Sequence, residues 1–317
     1  MVERKKGPEN LGYIKSINKV AEALKSPALD FLIRHVPEFY ASVARNDEIS
    51  ARNLVYNSFA VLSECAGQVN RPQGFAEGAK KIHEEFFQKE APDFWFTGVH
   101  NTYKAEKARV LSLFLAKYFK GNRVLDIGGG SGYLAAELKR DGFSAEVTDV
   151  LDYRSDYAKE VPFKQMEKPL VFPYQASEFD SAVLFEVLHH VDNGNHLPLL
   201  YEAARVADRL VVVENVYGDT NYSAAILEYE DPVPTKDYLE MSKDDQLKTL
   251  ILMDYYVNIA AKGIYDMNIP FTFKTFKEWL DLFKRGGFEL KDVLRVGFWK
   301  NTLNRNFQLY FVLNKVR

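Results

Sequence analysis

VLDIGGGSGY, residues 124–133, decides how the rest of the chain is read. Val124, Leu125 and Ile127 make a short apolar strand, the glycines break it, and Leu134 to Arg140 then follows helical spacing. A glycine-rich strand-to-helix turn lets the main chain approach a ligand closely and aims the N–H groups of the helix start at it. After Asp141-Gly142, Ala145 to Val150 forms a second strand. Strand, helix, strand in that order begins a right-handed α/β sheet with parallel strands. Working outward, we expect a third strand at Val161 to Gln165, a fourth at Ser181 to Phe185, a helix at Leu197 to Arg205 and a fifth strand at Arg209 to Val213.

The flanks read differently. Before the sheet, Phe75, Ala79, Ile82, Phe86 and Phe87 recur at helical spacing opposite Lys80, Lys81, Glu84 and Glu85, a helix that needs a partner. After it, strand-helix alternation stops and Asp244 to Ala261 is the clearest helix. Thr275 to Phe283 then forms a helix closed by Gly286-Gly287, and Phe288 to Phe298 with Phe307 to Leu313 form a terminal hairpin. The expected organisation is a helical N-terminal region at 1–105, contributing a cap to the acceptor pocket, a cofactor-binding core at 106–217, a helical lid insertion at 218–270, and a final helix and hairpin at 271–317 completing the core.

With 317 residues, 47% of them hydrophobic and 27% charged, the chain has a globular composition rather than a disordered, collagen-like or coiled-coil one. Forty-one Lys and Arg against 44 Asp and Glu give a formal charge of -3, so no global attraction to nucleic acid or anionic membrane is present. The single cysteine, Cys65, excludes an intramolecular disulfide framework and a cysteine-rich zinc site. The beginning, MVERKKGPEN, is charged and precedes no apolar stretch of signal-peptide length. No apolar run approaches the roughly 18 residues of a membrane span, and a cytoplasmic location is expected.

Two cofactor classes use such a glycine turn. Gly130, Gly132 and Ala135 satisfy the looser dinucleotide fingerprint. Asp126 argues against it, because a carboxylate two residues before Gly128 repels a pyrophosphate and attracts an ammonium, as on the methionine tail of S-adenosylmethionine. Gly128, Gly130 and Gly132 leave room for that tail. Asp149 closes the next strand, where an acid accepts hydrogen bonds from both ribose hydroxyls; either cofactor class uses one there.

On these residues the chain resembles the class I S-adenosylmethionine-dependent methyltransferases, of the small-molecule, type 11-like kind. Two further stretches carry the resemblance: LVFPYQASEFDSAVLFEVLHHV, residues 170–191, and LPLLYEAARVADRLVVVEN, residues 197–215. The Pro-Gly-Gly turn usual in the second is replaced by Ala207-Asp208-Arg209. The resemblance implies a Rossmann-like sheet of seven mostly parallel strands, with a reversed last strand in a C-terminal antiparallel hairpin. It also implies S-adenosylmethionine as cofactor and S-adenosylhomocysteine as product. Asp126 or its hydration shell would face the amino-acid end of the cofactor. The position that reads the adenine falls on Met166, with Gln165 and Glu167 as neighbours, and Glu186 is expected to touch the cofactor.

Open α/β sheets bind ligands at the carboxyl ends of their strands, which places Glu186, Val187, Leu188, His189 and His190 near the transferred methyl group. Alignment alone can supply about 7–11 kcal/mol of the barrier to such a displacement. Where the acceptor must lose a proton, His189 or His190 is the candidate base; the other reading is that the pair packs and caps the loop. No metal site is expected, since adjacent histidines point in different directions and no third ligand follows at suitable spacing. Tyr103 upstream, and Tyr255, Tyr256 and Asn258 in the insertion, combine ring surface or amide with polar tips and are expected to line an enclosed, partly apolar acceptor pocket.

The leading expectation is therefore methyl transfer to a small organic molecule. A nucleic-acid partner is not expected, because no Lys/Arg cluster interleaves with aromatics and the Asn/Asp-Pro-Pro-aromatic motif of base-modifying members is missing. Two alternatives stay open: a non-catalytic cofactor-binding regulator on the same fold, and a nicotinamide-dependent oxidoreductase. The sequence leaves the oligomeric state open.

Overall fold

A computed structural model describes residues 17–44, 48–66, 72–90, 99–166, 170–218, 225–226, 230–265, 267, 269–300 and 306–316. Helices come first: α1 (Ile17–Ala23), α2 (Pro27–Ala44), α3 (Glu48–Ala66), α4 (Pro72–Lys81), which continues as a π-helix over Ile82–Glu90, and α5 (Val99–Leu115). The sheet then begins with β1 (Arg123–Ile127), α6 (Tyr133–Arg140), β2 (Ser144–Asp149), β3 (Phe163–Gln165), β4 (Phe179–Phe185), α7 (His196–Val206) and β5 (Ala207–Tyr217). After β6 (Ala225–Ile226) come α8 (Pro232–Glu240) and α9 (Lys243–Tyr255), which runs into a second π-helix, Tyr256–Ala261. The chain closes with β7 (Lys274–Thr275), α10 (Phe276–Arg285), β8 (Phe288–Gly297) and β9 (Gln308–Lys315).

Among the described residues the sheet has nine strands, in the order β3-β2-β1-β4-β5-β9-β8-β6, with β7 beside β5. Neighbours from β3 to β5 are parallel, and β9 runs antiparallel to both β5 and β8. Seven strands carry the architecture read from the sequence; β6 and β7 are two-residue additions. The order reverses between β1 and β4, which opens a crevice at their carboxyl ends.

Strand alternation supplies a core on each face. Leu125, Ile127, Leu184, Leu210 and Val212 pack with α7 and α10 and with the helical layer, whereas Val124, Val147, Val183, Val211 and Val213 pack with α5 and α6. The helical layer is shared between the two flanks. Phe31 of α2 meets Tyr238 of α8 edge-on at 6.0 Å, Phe59 of α3 stacks on Tyr256 at 4.8 Å, and Phe75 of α4 meets Tyr255 at 6.5 Å. His83 joins the two π-helices through a 2.8 Å contact from its Nδ1 to the carbonyl of Ala261. The uninterrupted α-helices expected over Phe75–Phe87 and Asp244–Ala261 thus change pitch where they meet, as π-turns allow when a side chain inserts between helices.

At the other end of the sheet, α10 starts with a capping box in which Thr275 and Glu278 satisfy each other's backbone N–H. That helix delivers Trp279, fully buried, to the apolar face of the sheet, where its Nε1 donates to the carbonyl of Asn215 at 3.3 Å. Trp279→Ala is expected to cost about 3–5 kcal/mol of unfolding free energy, read from the urea midpoint; a loss below about 1 kcal/mol would contradict this packing.

Candidate active site

A cavity of about 720 Å³ lies at the carboxyl ends of β1, β2 and β4, roofed by α9 and the π-helix that follows it. Its size falls within the roughly 300–1,000 Å³ of small-molecule sites. Gly128 and Gly130 line it from the turn after β1, and both, with Gly132, take positive φ. At Gly128 a Cβ would meet Val187 at 2.9 Å, so the turn and the end of β4 close on each other only because glycine stands there. The N–H of Gly130 donates to Oδ2 of Asp149 at 3.0 Å, and that of Val150 to Oδ1 at 2.7 Å. Each oxygen keeps a lone pair for a further donor. Burial raises the Asp149 carboxyl above its ordinary range while those two N–H groups act against the shift.

The other expected cofactor residues divide. Met166 and Glu186 line the cavity. Glu186 holds its place at φ 56°, accepts from Gln308 Nε2 at 2.7 Å and faces Lys107 Nζ at 3.8 Å. Gln165 is exposed and donates instead to the carbonyl of Val150 at 2.8 Å, outside the cavity lining. Glu167 lies outside the described residues. Asp126, expected to face the cofactor's amino-acid end, is 1% exposed beneath Gly129 and is not part of the cavity wall. Burial, with Asp149 nearby, pushes its carboxyl up to about 7, opposed by the N–H of Ala135.

His189 and His190 sit on a single 3-10 turn, Leu188–His190, and both line the cavity. His189 is clamped. Its Nδ1 lies 2.7 Å from Oε2 of Glu214, its ring stacks on Phe273 at 5.0 Å, and its Nε2 faces Oδ1 of Asp254 at 4.0 Å. Burial disfavours charge on His189, but Glu214 and Asp254 outweigh it and hold the imidazole up at about 9. The ring centroid of His190 is 4.1 Å from that of His189, and its Nε2 is 3.7 Å from the same Asp254 oxygen. Two premises behind the expected absence of a metal site therefore fail. The 3-10 turn brings the adjacent rings to one point, and the insertion supplies a third potential ligand from 64 residues further along, the separation of Asp254 from His190.

The insertion's tyrosines require a correction. Tyr255 and Tyr256 are fully buried, against Phe75 and Phe59, and form no part of the cavity wall. Four-residue spacing explains it: Asp254, Asn258 and Lys262 share the stripe that faces the crevice, with Met253 and Val257 beside it, and the tyrosines point the other way. Asn258, as expected, lines the cavity. It donates to Asp254 Oδ1 at 2.7 Å and accepts from Lys262 Nζ at 3.0 Å. The side chain of Tyr103, like the stretch at 91–98, lies outside the described residues.

Sequence reading missed Glu214, Asp254, Lys262 and Lys104. Glu214 carried the same signal as Asp126, a charge inside an apolar strand. Asp254, Asn258 and Lys262 form a polar stripe in the otherwise apolar stretch that begins at Leu250. Lys104 lines the cavity from α5, 5.8 Å from the centre of the Tyr133 ring, and burial beside Lys262 and Lys107 pushes its amine down to about 7.

Residues 99–214 match a family model described as a methyltransferase domain. Among solved structures, the chain is similar to an S-adenosylmethionine-dependent methyltransferase from Methanosarcina mazei, at 19% identity over 64% of this chain and 97% of that one, with a TM-score of 0.42. It is also similar to the pyocyanin biosynthetic protein PhzM, at 17% identity over 77% of this chain and 64% of that one, with a TM-score of 0.48; this chain thus spans just under two thirds of that relative. A third is 1,6-didemethyltoxoflavin-N1-methyltransferase from Burkholderia thailandensis, solved with 1,6-didemethyltoxoflavin and S-adenosylhomocysteine (15% identity, 76% of this chain and 90% of that one, TM-score 0.43). No curated protein matches the chain in sequence.

The Glu214 clamp has a pH signature. The folded-state value of His189, about 9, lies above the ordinary 6.5, so its charge stabilises the fold fully below about 6.5 and that contribution is lost as pH rises through about 9. Glu214→Gln should move the His189 titration downward, as followed by imidazole NMR; an unchanged value would show that Glu214 does not hold the charge.

Proposed function

From the match of residues 99–214 to a methyltransferase domain, we propose that this chain is a class I S-adenosylmethionine-dependent methyltransferase and that it methylates a small organic acceptor held against His189, His190 and Asp254. S-adenosylmethionine is the methyl donor and S-adenosylhomocysteine the product. One observation carries the proposal: a single cavity joins Gly130, Asp149 and Met166 at one end to His189, His190, Asp254 and Asn258 at the other. Such a cavity holds donor and acceptor together and excludes water from between them.

In this reading Asp149 takes the ribose hydroxyls on the lone pairs its two backbone partners leave open. Met166 lies against the adenine, and the methionine end rests over Gly128 and Gly130, with Asp126 behind the turn. Lys104 faces the cofactor's carboxylate. The acceptor's lone pair attacks the methyl carbon opposite sulfur, the carbon–sulfur bond breaks, and S-adenosylhomocysteine leaves neutral at sulfur. An acceptor that must lose a proton does so beside His190 and Asp254, before its lone pair attacks. Among the described residues α9 and its π-helical extension enclose the acceptor, Lys104 joins them from α5, and α1 and α2 pack against α9.

The alternatives make different demands. A nicotinamide cofactor is disfavoured by the match of residues 99–214 to a methyltransferase domain. A binder without activity has no use for two histidines and a buried aspartate converging on the cavity. Calorimetry should show S-adenosylhomocysteine binding and no NAD binding; the reverse would sink the assignment. Asp149→Ala should lower S-adenosylhomocysteine affinity by about 10- to 100-fold, the loss of hydrogen bonds to a charged group. His190→Ala should leave that affinity unchanged while slowing turnover on an acceptor found by screening by about 10²-fold or more.

A further inference from the structure

We propose that His189, His190 and Asp254 hold a divalent transition-metal ion, and that the acceptor binds this ion through a hydroxyl oxygen. The inference rests on the methyltransferase reading and says how the polar wall of that cavity acts. Nε2 of His189 and Nε2 of His190 lie 4.0 and 3.7 Å from Oδ1 of Asp254, and the three potential ligand atoms all lie within 4.8 Å of one another. Ligands of a tetrahedral ion with bonds of about 2.1 Å stand about 3.4 Å apart, so closure shortens the two histidine–Asp254 distances by about 0.6 and 0.3 Å and the remaining one by at most about 1.4 Å, changes that side-chain rotation supplies.

A second observation is independent of that spacing. Asp254 is 4% exposed, lines the cavity, and its Oδ2 has no hydrogen-bond partner among the described residues. A buried carboxylate with one oxygen near two imidazoles and the other without a donor is well matched to a cation between it and the rings. The surrounding residues have the form of a ligand-orienting shell. Glu214 binds Nδ1 of His189 at 2.7 Å, which fixes the ring and leaves Nε2 as the free donor of a lone pair once neutral. Asn258, itself held by Lys262 at 3.0 Å, steadies Asp254. His196 takes no part, since its Nε2 is directed at the carbonyl of Leu188 at 2.8 Å.

Two imidazoles and one carboxylate suit zinc, iron(II), cobalt(II) or manganese(II) and leave coordination positions open to an acceptor. A hydroxyl bound to such an ion releases its proton to water at a lower pH than a free one. Its oxygen then forms the bond to the methyl carbon as the carbon–sulfur bond breaks, and no further proton is transferred in that step. The acceptor class is thereby narrowed to molecules that present a hydroxyl or enol oxygen.

The test uses the full, untagged chain after chelator treatment. Titration with cobalt(II) should produce visible d–d absorption saturating at one ion per chain, and calorimetry with zinc should show one site. His190→Ala and Asp254→Asn should each weaken both by tenfold or more while still binding S-adenosylhomocysteine, which shows that they fold. Metal binding that is absent from wild type, or equal in wild type and both variants, overturns the metal site and leaves the methyltransferase reading standing if S-adenosylhomocysteine still binds. Failure of the stripped wild-type chain to bind S-adenosylhomocysteine overturns that reading, and with it the acceptor role of the ion.

Discussion

The carboxylate of Glu214 organises the site. It projects from β5 with no solvent exposure, and its two oxygens receive the N–H of Leu188 at 2.6 Å, the N–H of His189 at 3.4 Å and Nδ1 of His189 at 2.7 Å. A charged group buried this deeply persists only when its hydrogen bonds are met, and here the partners are the first residues after β4. The chain leaving β4 must therefore turn back at once. Glu186 takes a left-handed conformation, at φ 56°, to make that turn, and the 3-10 segment that follows presents both histidines to the crevice.

Two further supports hold the same turn. His196, at the start of α7, reaches the carbonyl of Leu188 at 2.8 Å. The Thr272 hydroxyl lies 3.0–3.2 Å from the carbonyls of Leu188, His189 and Val191. Sheet, helix and the segment leading to α10 thus converge on three residues. This arrangement limits the freedom of His189 more than that of His190, whose side chain is 17% exposed against 3%. A rigid imidazole and a more accessible one side by side is a combination suited to binding and proton handling in one place.

The strand order was legible because period and punctuation agree. In β1 and β2 an apolar strand is followed by a glycine turn or an acid that only a sheet end accommodates, and the observed strands fall on the expected stretches. The fifth strand extends beyond its expected limits, to Ala207–Tyr217, because pairing with β9 over Arg209–Asn215 continues through Glu214 and Asn215, which sequence polarity would have ended. The site was legible only in part. Asp149 ends β2, and Met166 and the histidine pair follow β3 and β4, so the sheet's topology places them. Tyr255 and Tyr256 belong to a helix in which every residue from Thr249 to Tyr255 is buried, so amphipathicity gives no direction for its inward face.

What the sequence by itself determined is what local periodicity encodes: a parallel α/β sheet, a glycine turn with positive-φ positions, an acid at the end of β2, and two histidines after β4. What only the tertiary structure decided is which residues from distant segments meet them. Asp254, Lys262 and Lys104 reach the crevice because α9 packs between the N-terminal helices and the sheet, and α5 runs beside the glycine turn. Side-chain direction on a helix buried on all sides is set by its neighbours' shapes rather than by its own pattern of polarity, so it becomes readable only after the neighbours are in place.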